Sequence, residues 1–345
     1  MRKIILKAPY KMEITDCPIP QPAGDEVRIH VCRIGVCGSD STIYRGLHPY
    51  VTYPVVLGHE ISGIIDAVGK NISKKRIGER VTIIPHLICG ICKACKAGVY
   101  NFCEQLRCTG AEADGAHCDY FCISSEMAVR IPKNMSLDDA ALVEPACVAY
   151  HGAKRGHIGA NDRVLIVGAG PIGVFCMQSC FALGAKEVYI ADMDDSRLDI
   201  AKKLGATEVI HVAKETLAAA LCRFCGSEKE IDVFYDCVGE KGLVLNNILE
   251  IARRGSRIVV IGVIQKEYNI PRLPDFIQHE LALSGTTMYV PQDYDDMIRF
   301  ISEGTITTEG MISHRFPLDQ VPYVLDMIDQ KKEKTFKILI EVNEE

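Results

Sequence analysis

The chain has no tryptophan, and aromatic residues fill only 7% of its 345 positions. It has no run of about 18 apolar residues, so no segment is expected to cross a membrane as a helix. Cations are not in excess. Lys and Arg total 39 against 45 Asp and Glu, a net charge of -6. That balance, with no basic stripe interleaved with aromatics, excludes nucleic acid as the expected partner. The apolar run within Met1-Arg2-Lys3-Ile4-Ile5-Leu6-Lys7 is too short for a secretory signal. Internal repeats and low-complexity tracts are missing. What remains is a hydrophobic content of 48% and a charged content of 24%. Those values are ordinary for a soluble globular protein, and the length favours two domains over one.

Cysteine is abundant, with 16 residues. Without a secretion signal they are expected in a reducing cytoplasm, where metal ligation or plain burial explains thiols better than disulfides. Cys89-x2-Cys92-x2-Cys95-x7-Cys103 has the spacing of a four-thiolate zinc cage. A closed four-sulfur site leaves no coordination position free, so its expected role is structural. A second group of metal-ligand types lies upstream: Cys37, His59 and Glu60, with Glu144 as a further carboxylate. Mixed sulfur, nitrogen and oxygen donors suit zinc and leave an open position. Spacing alone does not bring these four together. They also fit a buried thiol, a core histidine and two surface carboxylates.

Segments up to about residue 150 read as β-rich. Val27 to Ile34 alternates apolar and polar residues, and 61–69 and 80–85 read as further strands. From about 162 the pattern turns to strand–helix alternation. Expected strands are 164–167, 188–191, 209–210, 231–235, 258–261 and 281–284. Expected helices are 171–183, 195–204, 214–225 and 241–253. This is a doubly wound parallel sheet. Two more helices, 291–302 and 318–330, precede a last strand, 336–340. Gly168-Ala169-Gly170-Pro171-Ile172-Gly173 directly follows an apolar strand and opens a helix, the context a dinucleotide loop requires. Gly168 permits the tight turn, Gly170 lets the backbone approach a pyrophosphate, and Gly173 permits close helix–strand packing. The pyrophosphate is expected on the helix N-terminus. Asp192, at the end of the next strand, suits ribose hydroxyls and repels a 2′-phosphate, which favours NAD. It also fits a helix N-cap. Arg197 is a secondary cofactor candidate.

Gly58-His59-Glu60-x2-Gly63-x5-Gly69-x2-Ile72 resembles the zinc signature of the medium-chain alcohol dehydrogenase family, with Ile72 in place of the usual valine. Cys37-Gly38-Ser39-Asp40 is similar to that family's first catalytic-ligand motif. The Cys89–Cys103 stretch resembles its structural-zinc lobe, and the 168–173 loop its coenzyme loop. The resemblance spans essentially the whole chain in order. It implies a GroES-like β-rich catalytic domain over 1–150, a Rossmann NAD-binding domain over 151–288, and a return to the catalytic domain over 289–345. It further implies one catalytic and one structural Zn2+ per chain, NAD as coenzyme, a small-molecule substrate and a homodimer or homotetramer. Glu144-Pro145 stands where alcohol dehydrogenase carries its second cysteine ligand. That pair resembles the polyol branch: sorbitol, sugar-acid and threonine dehydrogenases.

The resemblance implies oxidation of a secondary alcohol, a polyol or sugar derivative, with hydride passing to NAD. It also implies that Ser39 relays the proton. The chain departs from its relatives at Thr42, where a proton-passing histidine is usual, and at His117, where a phenylalanine is usual. Glu112 and Thr287 stand where sugar-acid relatives carry His and Arg, which disfavours an anionic substrate. An amino alcohol or 3-hydroxy amino acid is the rival substrate. A non-catalytic NAD-sensing regulator is the rival function.

Overall fold

The structure, a computed structural model, describes residues 1–239, 243–264, 270 and 272–345. The chain forms two compact units. One comprises Met1–Glu144, Val290–Ser302 and Thr308–Glu345, and the other Pro145–Tyr289 and Glu303–Thr307.

The first unit is built on a sheet in which the long strand Glu26–Gly35 is the hub. Val27, Ile29 and Val31 are fully buried, as the period-2 alternation requires, and an irregularity between Val31 and Arg33 shifts the pattern so that Ile34 is buried too. Glu60–Val68 pairs antiparallel along one edge of the hub, setting Glu60 opposite Gly35. Lys337–Glu341 pairs along the other edge, with Leu339 opposite Gly35. Ile312–Pro317, a strand that sequence reading did not foresee, lies parallel to Lys337–Glu341. Its alternating half-buried and exposed residues give only a weak apolar signal. The hub ends at Gly35, and Cys37 then starts the short helix Gly38–Tyr44. A second unforeseen helix, Val143–Arg155, carries Glu144 in its first turn.

The second unit contains a six-stranded, wholly parallel sheet. Its strand order is Glu208–His211, Glu187–Asp192, Arg163–Val167, Val233–Asp236, Arg257–Val260 and Ala282–Gly285. The strand order reverses beside Arg163–Val167, and a crevice at the carboxyl ends of such strands is where dinucleotides bind. The central strands are apolar apart from Arg163, Asp236 and Arg257 at their ends, as expected of a sheet covered on both faces, and Leu165, Tyr189, Phe234 and Ile258 pack in one core. The helix expected over 214–225 begins at Leu217, because Thr216 caps it by accepting the Ala219 N–H. Leu243–Ile251 is the helix expected over 241–253, and residues 241–242 of that expectation lie outside the described residues. The expected helix at 318–330 is a short 3₁₀ turn, Leu318–Gln320, followed by Val321–Asp329. Among the described residues no helix is long and apolar enough to cross a membrane.

Candidate active site and metal centres

The four lobe thiols converge. Cys89, Cys92, Cys95 and Cys103 place their sulfur atoms within 4.8 Å of one another. Backbone N–H groups already point at these sulfurs. Cys92 Sγ accepts from Cys95 N, and Cys103 Sγ accepts from Cys89 N and Gln105 N, each at 3.4 Å. Those donors favour the thiolate, pulling Cys92 down to about 6 and Cys103 below its ordinary value. Cys95 is enclosed and moves the other way, to about 12, as burial and its thiol neighbours disfavour another negative charge. Four sulfurs this close cannot all ionise without a cation among them, which fits a zinc ion.

The second group is gathered from distant segments. Cys37, His59 and Glu60 offer one ligand atom each, all within 4.8 Å of one another. Cys37 is partly accessible, whereas His59 and Glu60 are buried. Behind them sits Asp40, fully buried. Its Oδ2 accepts the Cys37 backbone N–H at 2.9 Å, and its Oδ1 lies 3.8 Å from His59 Nδ1. No hydrogen bond joins the two atoms, and charge attraction alone favours a ring orientation with Nδ1 toward the carboxylate. Sequence reading quoted Asp40 within its motif and gave it no role. Its signal was the spacing, since an acid three residues after a helix N-cap reaches back to the cap N–H.

The electrostatics of this group call for positive charge. Burial depresses the His59 pKa, but Cys37, Asp40 and Cys108 outweigh it and hold His59 well above its usual value. Cys108 is pushed up to about 12, first by burial, with Glu144, Glu112 and Cys37 adding to the effect. The cation present is Lys337, which forms an ion pair with Glu60 Oε2 and donates to Val36 O at 3.0 Å. Burial lowers its pKa, yet Glu60, Cys37 and Glu144 raise it further, so the ammonium stays charged. A donor set of thiolate, imidazole and carboxylate with this field fits zinc.

The other expected residues fall as follows. Glu144 is buried and near enough to act on Lys337 and Cys108, but it lies outside the group that closes to within 4.8 Å. Ser39 is half-buried in the first turn after Cys37. The Thr42 hydroxyl donates back to Gly38 O at 3.2 Å, so it is occupied within its own helix. His117 is fully buried, lying against Gly58, and neither ring nitrogen has a hydrogen-bond partner among the described residues. Burial pushes it down to about 4, so the ring is neutral.

In the second unit the coenzyme loop has its expected shape. Gly168 has φ +104°, a left-handed conformation. A Cβ on Gly173 would stand 1.8 Å from Gly168 O, so only glycine lets the helix approach the strand this closely. Gly170 caps the helix Pro171–Ala182, with Pro171 at its first position and Ile172 and Gly173 in its first turn. Asp192 braces the loop. Its Oδ2 accepts Ala169 N at 2.7 Å, and its Oδ1 accepts Met193 N and Asp194 N. Arg197 Nη1 lies 3.9 Å from Asp192 Oδ2 and the same distance from where a Gly170 Cβ would be. The N-cap of the next helix is Asp194, not Asp192.

Known proteins resemble this chain along almost its whole length. Residues 23–133 match the alcohol dehydrogenase GroES-like domain, and residues 171–303 match the zinc-binding dehydrogenase domain. Sorbitol dehydrogenase of Bacillus subtilis (strain 168) is 30% identical over 348 residues, covering 99% of this chain and 98% of its own. Starvation-sensing protein RspB of Escherichia coli (strain K12) is 32% identical over 347 residues, covering 100% of each chain. A crystal structure of an alcohol dehydrogenase (rspB) from E. coli CFT073, complexed with NADH, superposes with a TM-score of 0.91 at 31% identity and covers 99% of each chain. The chain belongs to the zinc-dependent medium-chain alcohol dehydrogenase family, in its polyol branch. It is an oxidoreductase with a GroES-like catalytic domain and a Rossmann NAD-binding domain, and its cofactors are zinc and NAD.

Proposed function

We propose that this enzyme oxidises a secondary alcohol of a neutral polyol or sugar-derived substrate to a ketone, reversibly, with NAD as hydride acceptor. The observation that carries the reading is the convergence of Cys37, His59 and Glu60 with Asp40 behind His59. These three residues hold the catalytic ion, and Glu144 stands by as a nearby carboxylate. Cys89, Cys92, Cys95 and Cys103 hold the structural ion. When bound, the catalytic zinc supplies a Lewis acid that draws the substrate hydroxyl pKa towards ~7. Asp40 keeps His59 aimed. The Ser39 hydroxyl takes up the proton that leaves the substrate hydroxyl. With NAD bound, the nicotinamide would accept the hydride from the carbinol carbon, so that the alcohol would lose one hydride and one proton. Gly168, Gly170, Pro171, Ile172 and Gly173 cradle the pyrophosphate, with Asp192 and Arg197 beside the adenosine end.

The concentration of Cys37, Glu60 and Glu144 near Lys337, with Asp40 beside His59 and Glu112 beside Cys108, supports a substrate without negative charge. The same field favours an ammonium group, which keeps an amino alcohol or 3-hydroxy amino acid as the second reading. We place the enzyme in the cytoplasm as a homodimer or homotetramer, following its cysteine usage and its family. NADH formation with sorbitol, xylitol, galactitol, threonine, L-galactonate and simple secondary alcohols tests the substrate class. Neutral polyols are expected to give the highest kcat/KM, and a preference for L-galactonate defeats the charge argument. Zinc content tests the site. Two ions per chain are expected, falling to one in Cys37→Ala with turnover abolished and NADH binding kept. A Cys37→Ala enzyme with full activity removes the mechanism, and one zinc per chain in the parent protein favours a non-catalytic NAD sensor.

A further inference from the structure

Lys337 is a buried cation that the chemistry above leaves without a task. It is 3% exposed, Glu60 is 1% exposed, and the two form an ion pair at the edge of the metal-ligand group. The sheet explains how they meet. Gly35 ends the hub strand, with Glu60 opposite it on one side and Leu339, two residues beyond Lys337, opposite it on the other. A Cβ on Gly35 would stand 2.1 Å from Glu60 Oε2 and 3.1 Å from Lys337 Cε. The missing side chain is therefore the gap through which the lysine reaches the carboxylate. The ammonium is pinned from a second direction by Val36 O, one residue before Cys37. A buried lysine held by two oxygens cannot swing away as a surface lysine does.

We propose that Lys337 is the positioning residue of the catalytic metal site: it keeps one oxygen of Glu60 for itself, so that Glu60 offers the ion only its other oxygen and one coordination position stays open to substrate. Its charge also stands beside the ion and moderates how tightly the site holds it. In metal-free protein the same ammonium is the counter-charge that lets Glu60 remain buried. The proposal rests on the reading that Cys37, His59 and Glu60 hold the catalytic ion.

The test uses the full-length enzyme, zinc-loaded, metal-stripped and reloaded with Co2+. In Lys337→Met, Glu60 is free to chelate through both oxygens. The visible spectrum of the Co2+ form should shift from that of the parent. Chelator competition should show zinc held about tenfold more tightly or better, a gain of about 1.4 kcal/mol. Melting temperature should fall more in the stripped protein than in the loaded one, while Lys337→Arg restores the parent values. Unchanged affinity and spectrum, weaker zinc binding, or equal falls in melting temperature in both forms would show a merely structural lysine and overturn the proposal. Should Lys337→Met fail to fold, the double substitution Glu60→Gln/Lys337→Met leaves no unpaired charge. Its Co2+ spectrum should match that of Glu60→Gln alone, and a spectrum unlike it overturns the proposal. Cys37→Ala identifies which ion is being read. If it keeps both zinc ions, the reading of the site fails, separately from the role of Lys337.

Discussion

The two proposed metal centres solve opposite problems with overlapping chemistry. The lobe centre takes four identical donors from a stretch of 15 residues, 89–103, and backbone N–H groups favour the thiolate at Cys92 and Cys103. The other takes three different donors from two separated segments, and around it the fold has packed a buried aspartate and a buried lysine. Saturation with sulfur makes the first centre a clamp with nothing left to offer. The second is under-filled, and an ion held there keeps room for a substrate atom. The difference teaches that a centre meant for structure needs its ligands and local N–H donors, whereas one meant for chemistry needs surrounding charges that regulate what the ligands do.

Several measurements sharpen or break this contrast. The largest effect is expected from Cys103→Ala, which opens the clamp. One zinc per chain should be lost with a large fall in melting temperature, since structural zinc supplies folding free energy directly. NADH binding by the parallel-sheet unit should persist, as fluorescence titration can check. Loss of NADH binding with the lobe would mean the two functions are not separable in this way. Next come the carboxylates. Glu60→Gln should lower catalytic-zinc affinity or activity by about 10–100-fold, and Glu144→Gln, outside the ligand group, by less. Equal losses, read by chelator competition and kcat, would place Glu144 among the ligands. The smallest effect is a pH window. Cys92 is depressed from 9.0 to about 6 in the fold. A thiol shifted down contributes its full stabilisation above the unfolded value. That contribution shrinks as pH falls from about 9 and is gone once pH passes below about 6. In metal-stripped protein the melting temperature should therefore fall as pH drops from about 9 to about 6, and a melting temperature flat across that window would contradict the thiolate argument.

Sequence made some of this plain for physical reasons. The lobe and the coenzyme loop are local in the chain, so spacing carries their geometry without help from the fold. The helix Pro171–Ala182 was legible because Gly170, Pro171 and Gly184 punctuate it at both ends. The helix Val143–Arg155 was missed because the chain up to about residue 150 read as β-rich, although Pro145 is tolerated in a first turn. The convergence of Cys37 with His59 and Glu60 depends on strand pairing, which no spacing encodes, and reached the sequence reading only through family resemblance. Lys337 gave no warning in Phe336-Lys337-Ile338-Leu339-Ile340, where it reads as the polar residue of an edge strand. Its burial follows from Gly35, 302 residues earlier in the sequence, and only the sheet register links the two. Glu144 was legible as a residue type at a notable place, but its distance from the ligands was not.

The strand Lys337–Glu341 is made after the segments that carry Cys37, His59 and Glu60. During translation the parallel-sheet unit has all but five of its residues, Glu303–Thr307, once Tyr289 has emerged. The ligands Cys37, His59 and Glu60 are then already in place along the polypeptide, still awaiting their lysine. Chain order thus completes the parallel-sheet unit before Lys337 is added. A nascent chain stalled short of residue 337 would carry a carboxylate with no partner in the sheet, a state open to premature or mistaken metal capture.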